Sequence, residues 1–389
     1  MTHDTFFATA PKGMVDLLAR ELSQMGASQV KESRGGAHFS GDLETAYRAC
    51  LWSRLANRIL LPLADFAAPS TDALYRGVKA INWSAHLSAE QTIAVDTNLS
   101  NSGITHSHFA SLRVKDAIVD YFQESQGLRP NVDRDAPDIR INCYISANQA
   151  SLYLDLSGTS LHQRNYRLDA GPAPLKENLA AAILLRSRWH ETAAAQGAFI
   201  DLMCGSGTLV IEAALMAADI APGLTRQHWG FVNWQQHRQS IWQRLTAEAQ
   251  YRRDKGLKGL PVILGFDNNR RVLEQARANA DRAGLSHKIQ FAYQDIFTFR
   301  HDLPTHGLMV SNPPYGKRLA KSGELPALYK ALGALIKAQL VGWKAAIFTE
   351  DPALGKHMGL RAEKLHTLYN GALACKLIQF DLDKSRFYR

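Results

Sequence analysis

Two short stretches of this chain hold residue types that could do chemistry together. The first, Asn312-Pro313-Pro314-Tyr315, offers a side-chain amide oxygen, a main-chain carbonyl fixed by prolines, and an aromatic ring. Asn312 Oδ1 and the Pro313 carbonyl can accept both N–H bonds of a flat amine, while Tyr315 gives a face on which a planar base stacks. Such an amine is a poor nucleophile because its lone pair is delocalised into the ring. Holding its two N–H groups aims the lone pair at an activated sulfonium methyl and favours a pyramidal nitrogen. Alignment then supplies most of the help, about 7–11 kcal/mol in favourable cases. No general base is needed beforehand, since the nitrogen turns acidic only as the methyl arrives. Ring-carbon methylation would require a Cys nucleophile in this loop. The loop has none; Cys204 lies in the other stretch.

That second stretch, Asp201-Leu202-Met203-Cys204-Gly205-Ser206-Gly207-Thr208, reads as a strand turning into a helix. Gly205 and Gly207 let a ligand approach free main-chain N–H groups. The dinucleotide fingerprint fails, because its third glycine would fall at Val210. Two later strands also end in acids. Asp267, followed by Asn268, places a carboxylate where it can take both ribose hydroxyls. In Gln294-Asp295-Ile296, Asp295 suits an adenine amino group and Ile296 suits the ring. One such acid alone reads as a helix N-cap. Three consecutive strands ending this way point to one nucleoside site, built from Asp201, Met203, Cys204, Gly205, Ser206, Gly207, Asp267, Asn268, Asp295 and Ile296, with Asn312 beside it.

The elements that must position these residues follow from the pattern. From residue 175 onward helix and strand alternate, which predicts an α/β doubly wound parallel sheet. A helix is expected over 175–190. Strands are expected over 198–203, 261–267, 288–295, 307–312 and 344–349, and helices over 208–218, 269–283 and 325–340. Two further strands, 364–370 and 373–382, flank Asn370-Gly371, a strong hairpin signal, so the sheet should end in an antiparallel hairpin. Residues 219–259 interrupt the rhythm with Trp229, Trp234 and Trp242 among many cations. They read either as a surface stacking on unpaired bases or as a structural cap over the sheet.

Before residue 175 the chain reads as a smaller α+β region. Residues 1–43 predict a strand, a helix from Pro11 to Met25 and a second strand near Gly36–Phe39. Residues 44–156 predict helices on a short sheet. Its first helix, over 44–61, repeats Leu43, Tyr47, Leu51, Leu55 and Ile59 at helical spacing, and its Arg54 and Arg58 read as a solvated or a phosphate-contacting face. The stretch 62–110 looks loop-rich apart from a strand near residues 91–98. Leu161-His-Gln-Arg-Asn-Tyr-Arg167 is basic and aromatic. It leads to Gly171-Pro-Ala-Pro174, the best domain boundary in the chain.

Composition narrows the partners. With 389 residues, two or three domains are expected. A net charge of +9 favours an anionic partner. Four scattered Cys show neither metal spacing nor a disulfide framework, which fits a reducing cytoplasm. The lone His106-x-His108 reads as a surface loop, so no metal is expected. The N-terminus lacks the pattern of a signal peptide, and no apolar run is long enough to span a membrane.

Several stretches together resemble a known family. Asp201-x-x-Cys-Gly-Ser-Gly-Thr, Ser311-Asn-Pro-Pro-Tyr-Gly316, Asn131-Val-Asp-Arg-Asp-Ala-Pro-Asp-Ile-Arg140 and Leu154-Asp-Leu-Ser-Gly158 are similar to the THUMP-containing 23S rRNA guanine-N2 methyltransferases, from about Phe6 to Asp383. The resemblance implies a ferredoxin-like element (1–43), a THUMP RNA-binding domain (44–156) and a class I, Rossmann-like methyltransferase domain (157–389). It implies S-adenosyl-L-methionine as cofactor and 23S rRNA, before full 50S assembly, as partner. It assigns Asp201, Cys204, Gly205, Gly207, Asp267 and Asp295 to the cofactor, and Asn312, Pro313 and Tyr315 to the guanine. Bifunctional members carry a second methyltransferase half, so either a longer natural chain beyond Arg389 or a stand-alone form is implied. Where the family commonly has Arg-Gly-Tyr-Arg, this chain has Arg164-Asn165-Tyr166-Arg167. The same clamp also serves adenine-N6 methylation of DNA and glutamine methylation of protein. A non-catalytic RNA-binding protein is the remaining alternative.

Overall fold

A single long strand decides how the N-terminal half is built. The computed structural model describes residues 4–167, 175–314 and 324–383. It divides into two units, the first formed by residues up to Ala10, Leu18–Leu161 and Arg226–Thr246, the second by the remainder. The chain runs through β1 (Asp4–Thr9), α1 (Val15–Gln24), β2 (Ser28–Ser33), β3 (Gly36–Gly41), α2 (Leu43–Trp52), β4 (Arg58–Ala67), α3 (Thr71–Lys79), β5 (Thr92–Ser100), α4 (Ser107–Gln126), β6 (Asn131–Val132), β7 (Ile139–Ser146) and β8 (Gln149–Asp155). These strands form one sheet in the order β2-β3-β1-β4-β8-β7-β5-β6. The start of β4, Arg58–Leu60, pairs with β1, and Leu60–Ala67 pairs with β8, so two groups of strands share one sheet. Ile139, Ile141, Cys143 and Ile145 of β7 and Ala150, Leu152 and Leu154 of β8 are buried on one face, as strict alternation requires.

The structure corrects the expected helix over 44–61. α2 stops at Trp52 because Ser53 turns extended; its hydroxyl accepts from the Ala56 N–H and donates to Glu21. Leu55 and Ile59 are still buried, but from a turn and a strand. Arg54 and Arg58 form neither a solvated nor a phosphate-facing surface. Arg54 is buried, and the Arg58 guanidinium donates to the buried Asp155 carboxylate and to the Gly158 carbonyl. Several elements escaped the sequence pattern, among them β4, β2 and α3. β2 is exposed or half-exposed along its length, so it lacks an alternating signal. α3, capped by Ser70 on the Ala73 N–H, lies in the stretch read as loop.

Residues 226–246 follow the structural one of the two readings, with Trp229 and Trp234 buried, but they pack within the first unit. Arg226 donates to the carbonyls of Ser157, Thr159 and Ser160 and lies 4.9 Å from the Trp229 ring centroid. Phe231 stacks on Tyr47 of α2 at 4.2 Å, with Trp229 and Trp242 around it. The Tyr47 hydroxyl meets His237 Nδ1 at 2.6 Å, and Arg244 grips Glu44 with two bonds. The rings are therefore spent on packing against α2. Gly230 is required there, since a Cβ would sit 2.1 Å from the Asp155 carbonyl oxygen.

The second unit holds α5 (Glu177–Arg186), α6 (Trp189–Ala194), β9 (Ala198–Asp201), α7 (Thr208–Ala217), most of α8 (Gln239–Gly256), β10 (Ile263–Asp267), α9 (Arg270–Arg282), β11 (Gln290–Tyr293), β12 (Gly307–Ser311), α10 (Glu324–Gln339), β13 (Lys344–Thr349), α11 (Pro352–Lys356), β14 (Lys364–Asn370) and β15 (Leu373–Asp381). Its sheet runs β11-β10-β9-β12-β13-β15-β14. The first five strands are parallel; β15 inserts antiparallel between β13 and β14. The doubly wound sheet with its terminal hairpin is thus as expected. The helix expected over 175–190 is instead two, broken where Arg188 takes a left-handed φ of 59°. The proline hinge at 171–174 lies outside the described residues. Among the described residues no helix is long and apolar enough to cross a membrane.

Arg58→Ala should destabilise the first unit by about 3–5 kcal/mol, because it strands the Asp155 carboxylate in the interior. Urea unfolding checks this; a change below about 1 kcal/mol would show that the pair is dispensable.

Candidate active site

Parallel pairing puts the predicted residues along one sheet edge. Asp201 ends β9, Asp267 ends β10 and Asp295 lies two residues past β11. Ser311 ends β12, and Asn312 follows it. β9 lies between β10 and β12, and from it the connections run one way to β11 and the other way to β13. A crevice at such a reversal is where doubly wound sheets bind ligands.

A chain of hydrogen bonds ties this edge together. The Ser311 hydroxyl donates to Asp201 Oδ1 at 2.7 Å and accepts from the Leu202 N–H at 3.0 Å. Asp201 Oδ1 also accepts from the Met203 N–H. Asp267 Oδ2 accepts from the Gly205 N–H at 2.9 Å, and its Oδ1 accepts from the Asn269 N–H. The Cys204 N–H donates to the Phe266 carbonyl, and the Gln294 N–H to that of Asp267. Asn268 Nδ2 reaches Asp295 Oδ2 at 3.5 Å, while Asp295 Oδ1 accepts from the Phe297 N–H. Thus every acid in the set bonds to main-chain N–H groups, which fixes its direction.

The glycine turn has the backbone that only glycine adopts readily. Gly205 and Gly207 have φ of 54° and 84°. A Cβ at Gly205 would meet nothing within 4 Å, so the space above that turn is open. Ser206 is held from behind: its carbonyl accepts from Nδ2 of Asn279, a buried residue on α9. Met203 packs against the sheet's core, and Ile296 lies in that core with Phe266 and Phe299. Burial pushes the Cys204 thiol well above its usual range, with Asp201 and Asp267 adding to it, so it is no nucleophile.

Burial also raises the Asp201 carboxyl to about 7; the Ser311 and Met203 hydrogen bonds oppose this, and the Asp267 charge adds to it. Asp267 is raised too, chiefly by burial. Asn312 Oδ1 is buried and accepts no hydrogen bond among the described residues. A buried amide oxygen left this way costs about 1–3 kcal/mol. Pro313 is buried beside it. Tyr315 lies outside the described residues.

The basic and aromatic stretch 161–167 proves internal. Arg164 Nε donates to Glu212 of α7 at 2.9 Å, and the Tyr166 hydroxyl donates to the same oxygen. Arg167 pairs with Glu177 at 3.0 Å and donates to the Thr208 hydroxyl, at the start of α7. Asn165 takes a φ of 65°, a left-handed position that Asn tolerates best after Gly. This accounts for Asn standing where Gly is common. The sequence reading missed Ser311 and Asn279 as site residues. Each had a signal: a lone hydroxyl ending the fully buried strand 307–311, and an amide on α9 at the spacing of Leu273 and Ala276.

Fold and site together define a methyltransferase of the class I type. The chain belongs to the RMKL-like methyltransferase family, whose domain model matches residues 164–379. A ferredoxin-like domain model described for RlmL matches residues 5–60, and a THUMP model matches 68–155. The chain is 53% identical over 386 residues to the ribosomal RNA large subunit methyltransferase K/L of Syntrophotalea carbinolica, covering 98% of this chain and 54% of that protein. It is 50% identical to the protein of the same name in Methylococcus capsulatus, covering 100% of this chain and 52% of that one. The chain therefore spans about half the length of these curated relatives. Among solved structures, SMU.472, described as a methyltransferase complexed with SAH, superposes with a TM-score of 0.88 at 31% identity over 99% of both chains. A Listeria monocytogenes protein described as an N6-adenine-specific DNA methylase gives 0.85, also at 31%, over 98% of this chain and 96% of that one.

Because Asp201 titrates near 7 when folded and near 3.9 when unfolded, the native state holds the proton longer. Its contribution to stability is full below about pH 4 and lost as pH rises through 7, at up to about 1.4 kcal/mol per pH unit. Asp201→Asn should therefore melt increasingly above wild type as pH rises from 4.5 to 7.5. A melting difference that does not change with pH would contradict the buried carboxyl.

Proposed function

We propose that this chain methylates the exocyclic N2 of a guanine in 23S ribosomal RNA, using S-adenosyl-L-methionine. The observation that supports it best is Asn312 Oδ1, a buried oxygen with no donor among the described residues, next to the strand ends that carry the acids. The residues fit the cofactor: the space above Gly205 is open, and the neighbouring acids are already oriented by main-chain bonds. Asp267 would hold the ribose hydroxyls and Asp295 the adenine amine, with Asp201, Met203, Cys204, Ser206, Gly207, Asn268 and Ile296 shaping the remainder. When bound, the cofactor supplies a methyl group on a sulfonium sulfur.

The protein's own part is to hold the amine. Asn312 Oδ1 and the Pro313 carbonyl accept its two N–H bonds, pull its lone pair out of conjugation and stabilise the positive charge that develops on nitrogen. Tyr315 is assigned the stacking role. Buried Asp201 sets the height of the turn rather than exchanging protons with substrate. The N-terminal unit, matched by the THUMP and ferredoxin-like models, is assigned the RNA. The Listeria relative's description favours DNA adenine as the second reading.

Tritium from labelled cofactor should enter 23S rRNA purified from a strain lacking this protein, and enter neither DNA nor a glutamine-containing protein. Preferential labelling of DNA would overturn the RNA assignment. Asn312→Ala should lower kcat by about 10²–10³-fold, while calorimetry shows cofactor affinity within about threefold of wild type. Turnover near wild type would remove the clamp from the mechanism.

A further inference from the structure

Arg54, Arg58 and the Trp rings of 219–259, for which the sequence left an RNA-facing reading open, are all engaged inside the first unit. What its sheet leaves open is a different set. One face carries the buried aliphatic row under α3 and α4. On the other, register places Lys31, His38, Phe7, Tyr153 and Tyr144 across five strands, β2, β3, β1, β8 and β7. His38 and Phe7 rings lie 4.6 Å apart, and Phe7 and Tyr153 lie 6.3 Å apart. Tyr144 is 43% exposed. Lys31 and His38 form no ion pair among the described residues.

We propose that this row is a stacking platform for unpaired bases of the RNA substrate. The inference rests on the ribosomal RNA reading above. Every base has a π-face, and a ring held on a sheet offers it a partner at small entropic cost. Around Tyr144 and Tyr153 the positions are polar, with Ser151, Asn142 and Asn98 on the face, while Leu60 and Pro62 of β4 lie between Phe7 and Tyr153. The polar side chains can bond base edges and the 2′-hydroxyl, whereas a protein partner or a second copy would call for a contiguous apolar surface. Charge on the face nearly cancels. Asp96 is held by Arg140 at 2.8 Å, and Asp65 accepts from Ser151. The row is therefore suited to bases rather than to a phosphate backbone, and a rigid duplex, whose bases are already stacked, gains nothing from it.

The test uses the full chain and a fluorescein-labelled single-stranded RNA of about 20 nucleotides, with its blunt duplex in parallel. Tyr144→Ala and Tyr153→Ala should each weaken single-strand binding by about 5- to 100-fold and leave duplex binding within twofold. Tyr144→Phe should bind as wild type, because the ring remains. Calorimetry with S-adenosyl-L-methionine should show unchanged cofactor affinity in every variant, which separates a lost platform from a lost fold. Alanine variants that bind the single strand as tightly as wild type would overturn the platform while leaving the methyltransferase reading standing. A wild-type chain that binds the cofactor but no RNA would overturn both. Sedimentation showing a dimer that Tyr144→Ala dissociates would assign the face to a second copy instead.

Discussion

The second unit depends on one buried hydroxyl. Ser311 closes β12, bonds the Asp201 carboxylate and receives the Leu202 N–H, all inside the protein. It thereby locks the strand that leads to Asn312 to the strand that ends in the glycine turn. Parallel pairing sets the two ends side by side to within a residue; the hydroxyl removes the remaining freedom. The alkylation proposed above would need that, because a displacement of about 1 Å can cost 10²-fold in rate.

The glycine turn is supported from beneath by a second layer that includes the basic and aromatic stretch 161–167. Arg164 and Tyr166 meet on Glu212, Arg167 spans Glu177 and Thr208, and Arg282 donates to the Tyr166 carbonyl. Buried pairs of this kind add little net stability, but losing one partner is costly. Their effect is to fix where α7 begins, and so where the N–H groups of the turn point. The same economy governs residues 226–246, whose cations and rings close the first unit's own carbonyls and α2.

Much of this was legible in the sequence, and the boundary has a physical basis. The parallel strands were readable because each is an apolar run ended by an acid or an amide, and the hairpin because Asn-Gly makes its turn. That Asp201, Asp267, Asp295 and Asn312 would share one edge was readable because strand ends in such a sheet lie side by side. Charge and aromatic content misled, since composition does not distinguish an arginine that faces phosphate from one that forks onto buried carbonyls. Helical spacing across Ser53 misled for a related reason: Leu55 and Ile59 are buried in any case, and only the serine's side-chain bonds reveal that the helix has ended. The open aromatic row was invisible because its members come from strands far apart in the chain.

A double-mutant cycle on Ser311→Ala and Asp201→Asn tests the coupling of the proposed clamp and the glycine turn most directly, read by cofactor affinity and by single-turnover methylation of the proposed RNA substrate. If the hydroxyl sets both ends at once, the double variant loses little more than the worse single variant, a coupling of about 1–3 kcal/mol. Losses that simply add would show that the two strand ends are positioned independently, and would contradict it.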